Sequence, residues 1–290
     1  MHKSVMLEEV IKFLNPSAGK CVVDCTLGLG GHSIRIAQAL GPQGRLIAIE
    51  RDAESLKKAK ENLKDYADRC DFINDDFRNI GRILPERGIT EVDGFIFDLG
   101  ISSFQLDDSR RGFSFQSEGP LDMRMNQNEL VSAQDLVNSL TENELMKIFQ
   151  EFGEERFSRR IARSIVFHRP ITTTYQLRDC VLKALPMSYQ RQRIHPATRT
   201  FQALRIAVNR ELEALETALQ QSIEFLRKGG RICVISFHSL EDRIVKNIFR
   251  SSVQTGKLQL ILKKPLEPQE SEIKENSRAR SAKLRVAEKI

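Results

Sequence analysis

Apolar positions in the first hundred residues follow two alternating periods. The runs "CVVD" (21–24), "LIAIE" (46–50), "CDFIND" (70–75) and "VDGFIFDLG" (92–100) read as strands, the third the weakest. Between them, "SIRIAQALG" (33–41) reads as a helix opening on Ser33 and closing on Gly41. "RDAESLKKAKENL" (51–63) reads as another, with Leu56, Ala59 and Leu63 at helical spacing. Strands alternating with helices predict βαβ units and a parallel sheet.

The alternation stops after Asp98. The next convincing buried strand is "RICVISF" (231–237). A helix precedes it, with Val208, Leu212, Leu215, Leu219, Ile223 and Leu226 three or four residues apart, and Gly229 and Gly230 suit its C-terminus. A crossover between parallel strands needs only about 30 residues, so the long gap predicts an inserted, mostly helical subdomain. The expected division is 1–105 with 205–290 for the α/β domain and 106–204 for the insertion. The polar stretch 264–282, with Pro265 and Pro268, reads as a loop or mobile arm.

Composition changes this picture in two places. Net charge is +6, but residues 151–210 carry twelve Lys/Arg against four Asp/Glu, so the excess is concentrated near the insertion. A basic surface of this kind favours a polyanionic partner, with a solvated charged face as the alternative. The five cysteines (Cys21, Cys25, Cys70, Cys180, Cys233) form no CxxC pair and read as reduced thiols of a cytoplasmic protein. Cysteine and histidine spacing offers no metal site, and no apolar run is long enough to predict a membrane span.

The glycine cluster Gly28, Gly30, Gly31 follows the first strand. It is no P-loop, because no Lys follows it. It is an incomplete dinucleotide fingerprint, because Ser33 stands where the third glycine belongs. Acids end the successive strands: Asp24, Glu50, then Asp76 followed by Phe77. Glu50 is placed to accept both ribose hydroxyls of a nucleoside. Asp24 would repel a pyrophosphate but suit an amino group, and Asp76–Phe77 suits adenine. Ammonium, ribose and adenine together describe S-adenosyl-L-methionine. The fourth strand ends in "DLGISS" (98–103), where Asp98, Ser102 and Ser103 are the candidate catalytic groups; a capped turn without chemistry is the alternative.

The blocks "HKSVMLEEV", "DCTLGLGGHS", "AIERD", "DLGISSFQLDD", "GPLDMRM", "HPATRTFQALRIAVNRELEAL" and "GGRICVISFHSLEDRIVK" resemble the bacterial small-subunit ribosomal RNA (cytosine-N4)-methyltransferase family of the MraW or RsmH type, from His2 to Lys289. The resemblance implies a Rossmann-like class I methyltransferase with a mostly parallel, doubly wound sheet and an RNA-recognising helical insertion. It implies methyl transfer to N4 of a decoding-centre cytidine in 16S RNA. Carried over position by position, cofactor contacts fall on Gly30, Gly31, His32, Glu50, Phe77, Asp98 and Gln105. The family usually has Asp where Glu50 stands and Pro where Phe104 stands, and losing that proline predicts a looser turn around Gln105.

Arg110, Arg111, His195, Arg199 and Arg205 are candidate RNA contacts, with Phe113 and Phe115 as stacking or packing residues and His238 near the site mouth. The expected partner is small-subunit RNA in an assembled or nearly assembled subunit, with no membrane; monomer and homodimer both remain open. Two rival readings are an NAD-dependent oxidoreductase and a non-catalytic RNA-binding factor with the same fold.

Overall fold

The computed structural model describes residues 4–190 and 195–290. His2 and Lys3, which begin the first family-like block, lie outside them. Backbone contacts divide the chain into two units, residues 1–100 with 212–290 and residues 101–211. The second unit therefore starts earlier and ends later than the expected 106–204.

The first unit begins with α1 (Leu7–Leu14), β1 (Cys21–Asp24), α2 (Gly31–Leu40), β2 (Arg45–Glu50), α3 (Ala53–Asn62), β3 (Cys70–Asn74), α4 (Ile80–Ile83) and β4 (Val92–Asp98). All four strands predicted up to Asp98 are present. Their unbroken apolar character follows from helices on both faces. Val23, Ile47, Phe95 and Phe97 enter one core, while Val22, Leu46, Ala48 and Ile96 enter the other.

In the second unit lie α5 (Ser103–Asp107), α6 (Ala133–Ser139), α7 (Glu142–Glu151), α8 (Ser158–Phe167), α9 (Thr174–Ala184), α10 (Met187–Gln190) and α11 (Thr198–Asn209). Capping boxes at Ser132, Thr141 and Thr173 set the starts of α6, α7 and α9, each side-chain oxygen accepting a backbone N–H. Leu145, Phe149, Ile161, Leu177 and Leu204 share its separate core.

The chain then forms α12 (Glu211–Phe225), β5 (Leu226–Ser236), α13 (Ser239–Gln254), β6 (Leu258–Leu260), α14 (Glu270–Glu275) and β7 (Lys283–Lys289). Among the described residues the sheet has seven strands in the order β3-β2-β1-β4-β5-β7-β6. Strands β1 to β5 are parallel, and β7 runs antiparallel between β5 and β6.

Three expectations are corrected. The single helix from Val208 is two helices, broken where Arg210 takes φ 50°. Gly229 and Gly230 do not end that helix; they lie in β5, which begins at Leu226, and Gly230 passes so close to the Asp93 carbonyl that a Cβ would meet it at 2.9 Å. The stretch 264–282 is not a free arm. It carries α14 and a 3₁₀ turn, with Ala279 and Ala282 buried. Among the described residues no helix is long and apolar enough to cross a membrane.

Phe97 is fully buried, packed edge-on to Phe77 at 5.8 Å and beside Phe95 at 6.5 Å. Phe97→Ala is expected to cost about 3–5 kcal/mol in denaturant unfolding. Phe167→Ala, at a side chain 82% exposed, should stay within about 0.5 kcal/mol. Equal effects at the two positions would contradict this placement of the core.

Candidate active site

Parallel pairing sets the tips of β3, β2, β1 and β4 side by side, so the acids that end them form a row. Crevices beyond the carboxyl ends of such strands are where open α/β sheets bind ligands. The row is built inside the first unit.

Glu50, at the tip of β2, holds the glycine turn. Its Oε2 accepts the Gly28 N–H at 2.8 Å and its Oε1 accepts the Asp52 N–H at 2.9 Å. Asp52 in turn caps α3 by accepting from Glu54 and Ser55. Burial pushes the Glu50 carboxyl up to about 7 against those two hydrogen bonds. Each oxygen keeps one acceptor position, enough for a pair of vicinal hydroxyls.

The turn itself needs glycine at two places. Gly28 (φ 54°) and Gly30 (φ 86°) are left-handed, and Gly30 caps α2. The backbone N–H groups of Gly31, His32 and Ser33 open that helix without partners four residues back, a ready site for an anionic group. Asp24 does not present an open carboxylate there. It is 2% exposed, with Oδ1 accepting from Thr26 N and Oδ2 from the Ser33 hydroxyl at 2.6 Å. Burial raises its carboxyl, opposed by the Ser33 bond. The sequence reading gave Asp24 to a ligand amine; the structure makes it a brace of the loop, and Ser33 fills the third-glycine position because its hydroxyl completes that brace.

Asp76 is likewise occupied. It caps the turn Phe77–Asn79 and lies 3.3 Å from Arg51 and 3.1 Å from Arg78, so Phe77, half-buried against Phe97, is the part of that pair left to meet a flat ring. Asp98 ends β4. Its backbone N–H donates to Thr26 Oγ1 at 2.6 Å, and its Oδ2 lies 3.5 Å from His32 Nδ1. Its Oδ1 is buried with no hydrogen-bond partner among the described residues. Burial and then the Glu241 carboxylate push Asp98 up to about 7. The His32 side chain is 5% exposed and turned inward, with Nε2 2.9 Å from the Val5 carbonyl.

Val5, Thr26 and Glu241 were not singled out from the sequence. Val5 and Thr26 act through backbone or a single hydroxyl, which leaves no compositional signal. Glu241 is 3% exposed at the start of α13, where its Oε2 accepts from Phe237 N and its Oε1 lies 3.2 Å from His238 Nε2. His238 caps that helix.

The other candidates belong to the second unit. Ser102 caps α5 by accepting the Gln105 N–H, and Gln105 Oε1 accepts the Ser102 N–H in return. Gln105 is 4% exposed, so this reciprocal pair fixes the turn that the missing proline at Phe104 was expected to loosen. Ser103 opens the same helix. Of the expected RNA contacts, Arg111 is corrected. It is 1% exposed and donates to the Arg124 and Met125 carbonyls, so it holds the "GPLDMRM" loop and reaches no phosphate. Arg205 is paired in bidentate fashion with Glu211 at 2.9 Å. Arg110 is exposed beside Asp108, and Arg199 is exposed with one nitrogen on the Glu154 carbonyl. His195 is exposed, its ring stacked on Phe115 at 4.5 Å, while Phe113 is core.

The family model described as "MraW methylase family" matches residues 1–290. Ribosomal RNA small subunit methyltransferase H of Clostridium botulinum (strain Loch Maree / Type A3) is 49% identical, over 100% of this chain and 99% of its own length. The protein of that name from Geotalea uraniireducens (strain Rf4) is 50% identical, over 100% and 98%. Among solved structures, a Clostridium thermocellum chain provisionally described as an rRNA methylase has TM-score 0.50 and 14% identity, covering 100% of this chain and 98% of that one, a likeness of fold.

Gly31 packs against the N-terminal segment so closely that a Cβ would meet Ser4 Oγ at 1.9 Å. Gly31→Ala is expected to cost about 1–3 kcal/mol and to raise hydrogen exchange at Met6, whose N–H donates to Glu272 at 2.7 Å. Ser4→Gly in the same chain should recover most of the loss. A neutral Gly31→Ala would show that the segment does not sit on the glycine turn.

Proposed function

From a chain that belongs to the MraW methylase family, we propose that the row of strand-tip acids serves methyl transfer from S-adenosyl-L-methionine to small-subunit ribosomal RNA, at N4 of a decoding-centre cytidine. The observation that carries the reading is Glu50, a half-buried carboxylate already clamped to the glycine turn, with one acceptor position left on each oxygen. Those positions suit the 2′- and 3′-hydroxyls of a ribose. The open N–H groups of Gly31, His32 and Ser33 suit the cofactor's carboxylate, and the ring of Phe77 suits its adenine. The backbone around Gly30 completes the cofactor contacts of the reading within the first unit. The relatives named ribosomal RNA small subunit methyltransferase H support the substrate class. A nicotinamide cofactor is disfavoured by the filled third-glycine position and by the family.

When bound, the cofactor supplies a methyl group already activated on sulfur, so the protein's task is alignment and exclusion of water. A cytosine amine is a poor nucleophile because its lone pair is delocalised into the ring. Asp98 accepts a hydrogen bond from that amine, which localises the lone pair. Nitrogen is favoured over carbon-5 as the acceptor, because carbon-5 transfer needs a thiolate. Burial raises every cysteine thiol: Cys21 and Cys70 to about 11, Cys233 to about 12, with Cys25 and Cys180 also raised. A target inside a stacked helix must swing out to be reached. Exposed His195, Arg199 and Arg110 of the second unit are the RNA contacts of this reading, in the cytoplasm where ribosomes assemble.

Nucleosides of small-subunit RNA from cells lacking this gene, treated with the protein and S-adenosylmethionine, should gain N4-methylcytidine by mass spectrometry. Methylation at carbon-5 or on another base would refute the assignment. Glu50→Ala should weaken S-adenosylhomocysteine binding about tenfold or more. With Glu50 titrating at about 7 and hydroxyls donating to its ionised form, affinity should rise with pH, roughly tenfold from pH 6 to pH 8. The slope should vanish in Glu50→Gln; a flat wild-type profile would remove Glu50 from the ribose.

A further inference from the structure

His32 stands between two oxygens of different kinds. Its Nε2 is 2.9 Å from the Val5 carbonyl oxygen, which can only accept, so Nε2 carries the hydrogen. Burial holds the ring below the usual imidazole range, against the pull of Asp24, the Val5 carbonyl and Glu272. The neutral ring with its hydrogen on Nε2 leaves a bare lone pair on Nδ1. Nδ1 lies 3.5 Å from Asp98 Oδ2. Nothing in this contact favours an ionised carboxylate, whereas a protonated one can donate from Oδ2 to Nδ1.

The surroundings act in the same direction. Oδ1 of Asp98 is buried and finds no donor among the described residues. The ionisable groups acting on the pair are Asp24 at the tip of β1, Glu241 on α13 and Glu272 on α14, all carboxylic acids. Among the described residues, no basic side chain is one of the groups that shift the pair.

We infer that His32 is a positioning residue that makes Asp98 a stronger base, its Nδ1 lone pair accepting a hydrogen bond from the proton that Asp98 takes from the target amine. The inference rests on the methyl-transfer reading above and adds a role to its reaction. In the step, the amine nitrogen forms its bond to the methyl carbon. The bond between that carbon and the donor sulfur breaks, and its electron pair stays on sulfur. The amine then carries one proton too many, which passes to Asp98 Oδ2, where Nδ1 accepts the new O–H. The positive charge lost at sulfur cancels the negative charge lost at Asp98, so the buried site ends neutral. The Val5 carbonyl contributes by fixing which ring nitrogen is bare.

Two substitutions separate the ring's two ends. His32→Gln places an amide near Nε2, keeps a donor for Val5 and removes the acceptor that faces Asp98. His32→Asn places a side-chain oxygen near Nδ1 and retains an acceptor there. In the cofactor-free protein, ring ¹⁵N shifts should put the hydrogen on Nε2 at neutral pH. The Asp98 carboxyl, followed by ¹³C, should titrate about one pH unit lower in His32→Gln, with His32→Asn between it and wild type. In the methylation assay, His32→Gln should move the acid limb of the pH–rate profile down by a similar amount. It should lower the plateau kcat about tenfold, with KM for the methyl donor within about threefold. Hydrogen on Nδ1, or an Asp98 titration unmoved in His32→Gln, would overturn the inference. A wild-type protein that methylates no RNA would overturn the methyl-transfer reading instead, and the carboxyl titration would still decide the His32–Asp98 contact.

Discussion

The bidentate hold of Glu50 on Gly28 and Asp52 is the constraint on which the rest of the site depends. Two backbone N–H groups from different segments converge on one carboxylate. One segment is the glycine turn after β1, and the other is the start of α3. Without that bridge the left-handed turn at Gly28 and Gly30 has no fixed relation to the tip of β2. With it, the N-terminus of α2 and the acid of β2 become parts of one rigid ledge. The cost is a charge drawn out of water, and its raised titration point is the mark of that cost. Asp24 and Asp98 repeat the theme. Asp24 is almost fully buried and tied internally, while Asp98 is half-buried with one oxygen that finds no hydrogen-bond partner among the described residues. A braced acid shapes the loop, while one with a buried oxygen that lacks a donor is harder to ionise.

Much of the α/β framework could be read in the sequence, because strands buried on both faces are continuous apolar runs and the connecting helices carry a clear period. Asp24, Glu50 and Asp98 were legible as acids at strand ends. Their division of labour was not. Whether a carboxylate points at a ligand or at its own loop is decided by one neighbouring hydroxyl, such as Ser33, and a linear pattern does not show it. The apolar spacing from Val208 to Leu226 runs unbroken through Arg210, so periodicity could not reveal a turn made by one residue's φ. Arg111 misled for a related reason. Arginine next to "GFSF" looks like a surface cation, but here its guanidinium replaces water as the donor to two loop carbonyls.

Family membership and the strand-tip geometry carry different information. The names of the relatives speak of a reaction and an RNA in those proteins. The geometry shows which of the strand-tip acids are tied to their own loops. Protons have to be held by groups whose affinity is tuned by burial, and the backbone carbonyl of Val5 is as much a part of that tuning as any side chain.

The order of segments has a consequence for synthesis. β4 pairs with β1 on one side and with β5 on the other, and the whole second unit lies between β4 and β5 in the chain. On the ribosome, β4 leaves the exit tunnel with one edge bare for the time taken to make more than a hundred further residues. At several residues per second that interval is on the order of ten seconds. Phe95 and Phe97, fully buried in the finished sheet, face that wait without their cover. The helical unit, whose core draws on its own continuous segment, has time to fold first. The nascent first third is therefore the stage at which this sheet carries an unpaired edge.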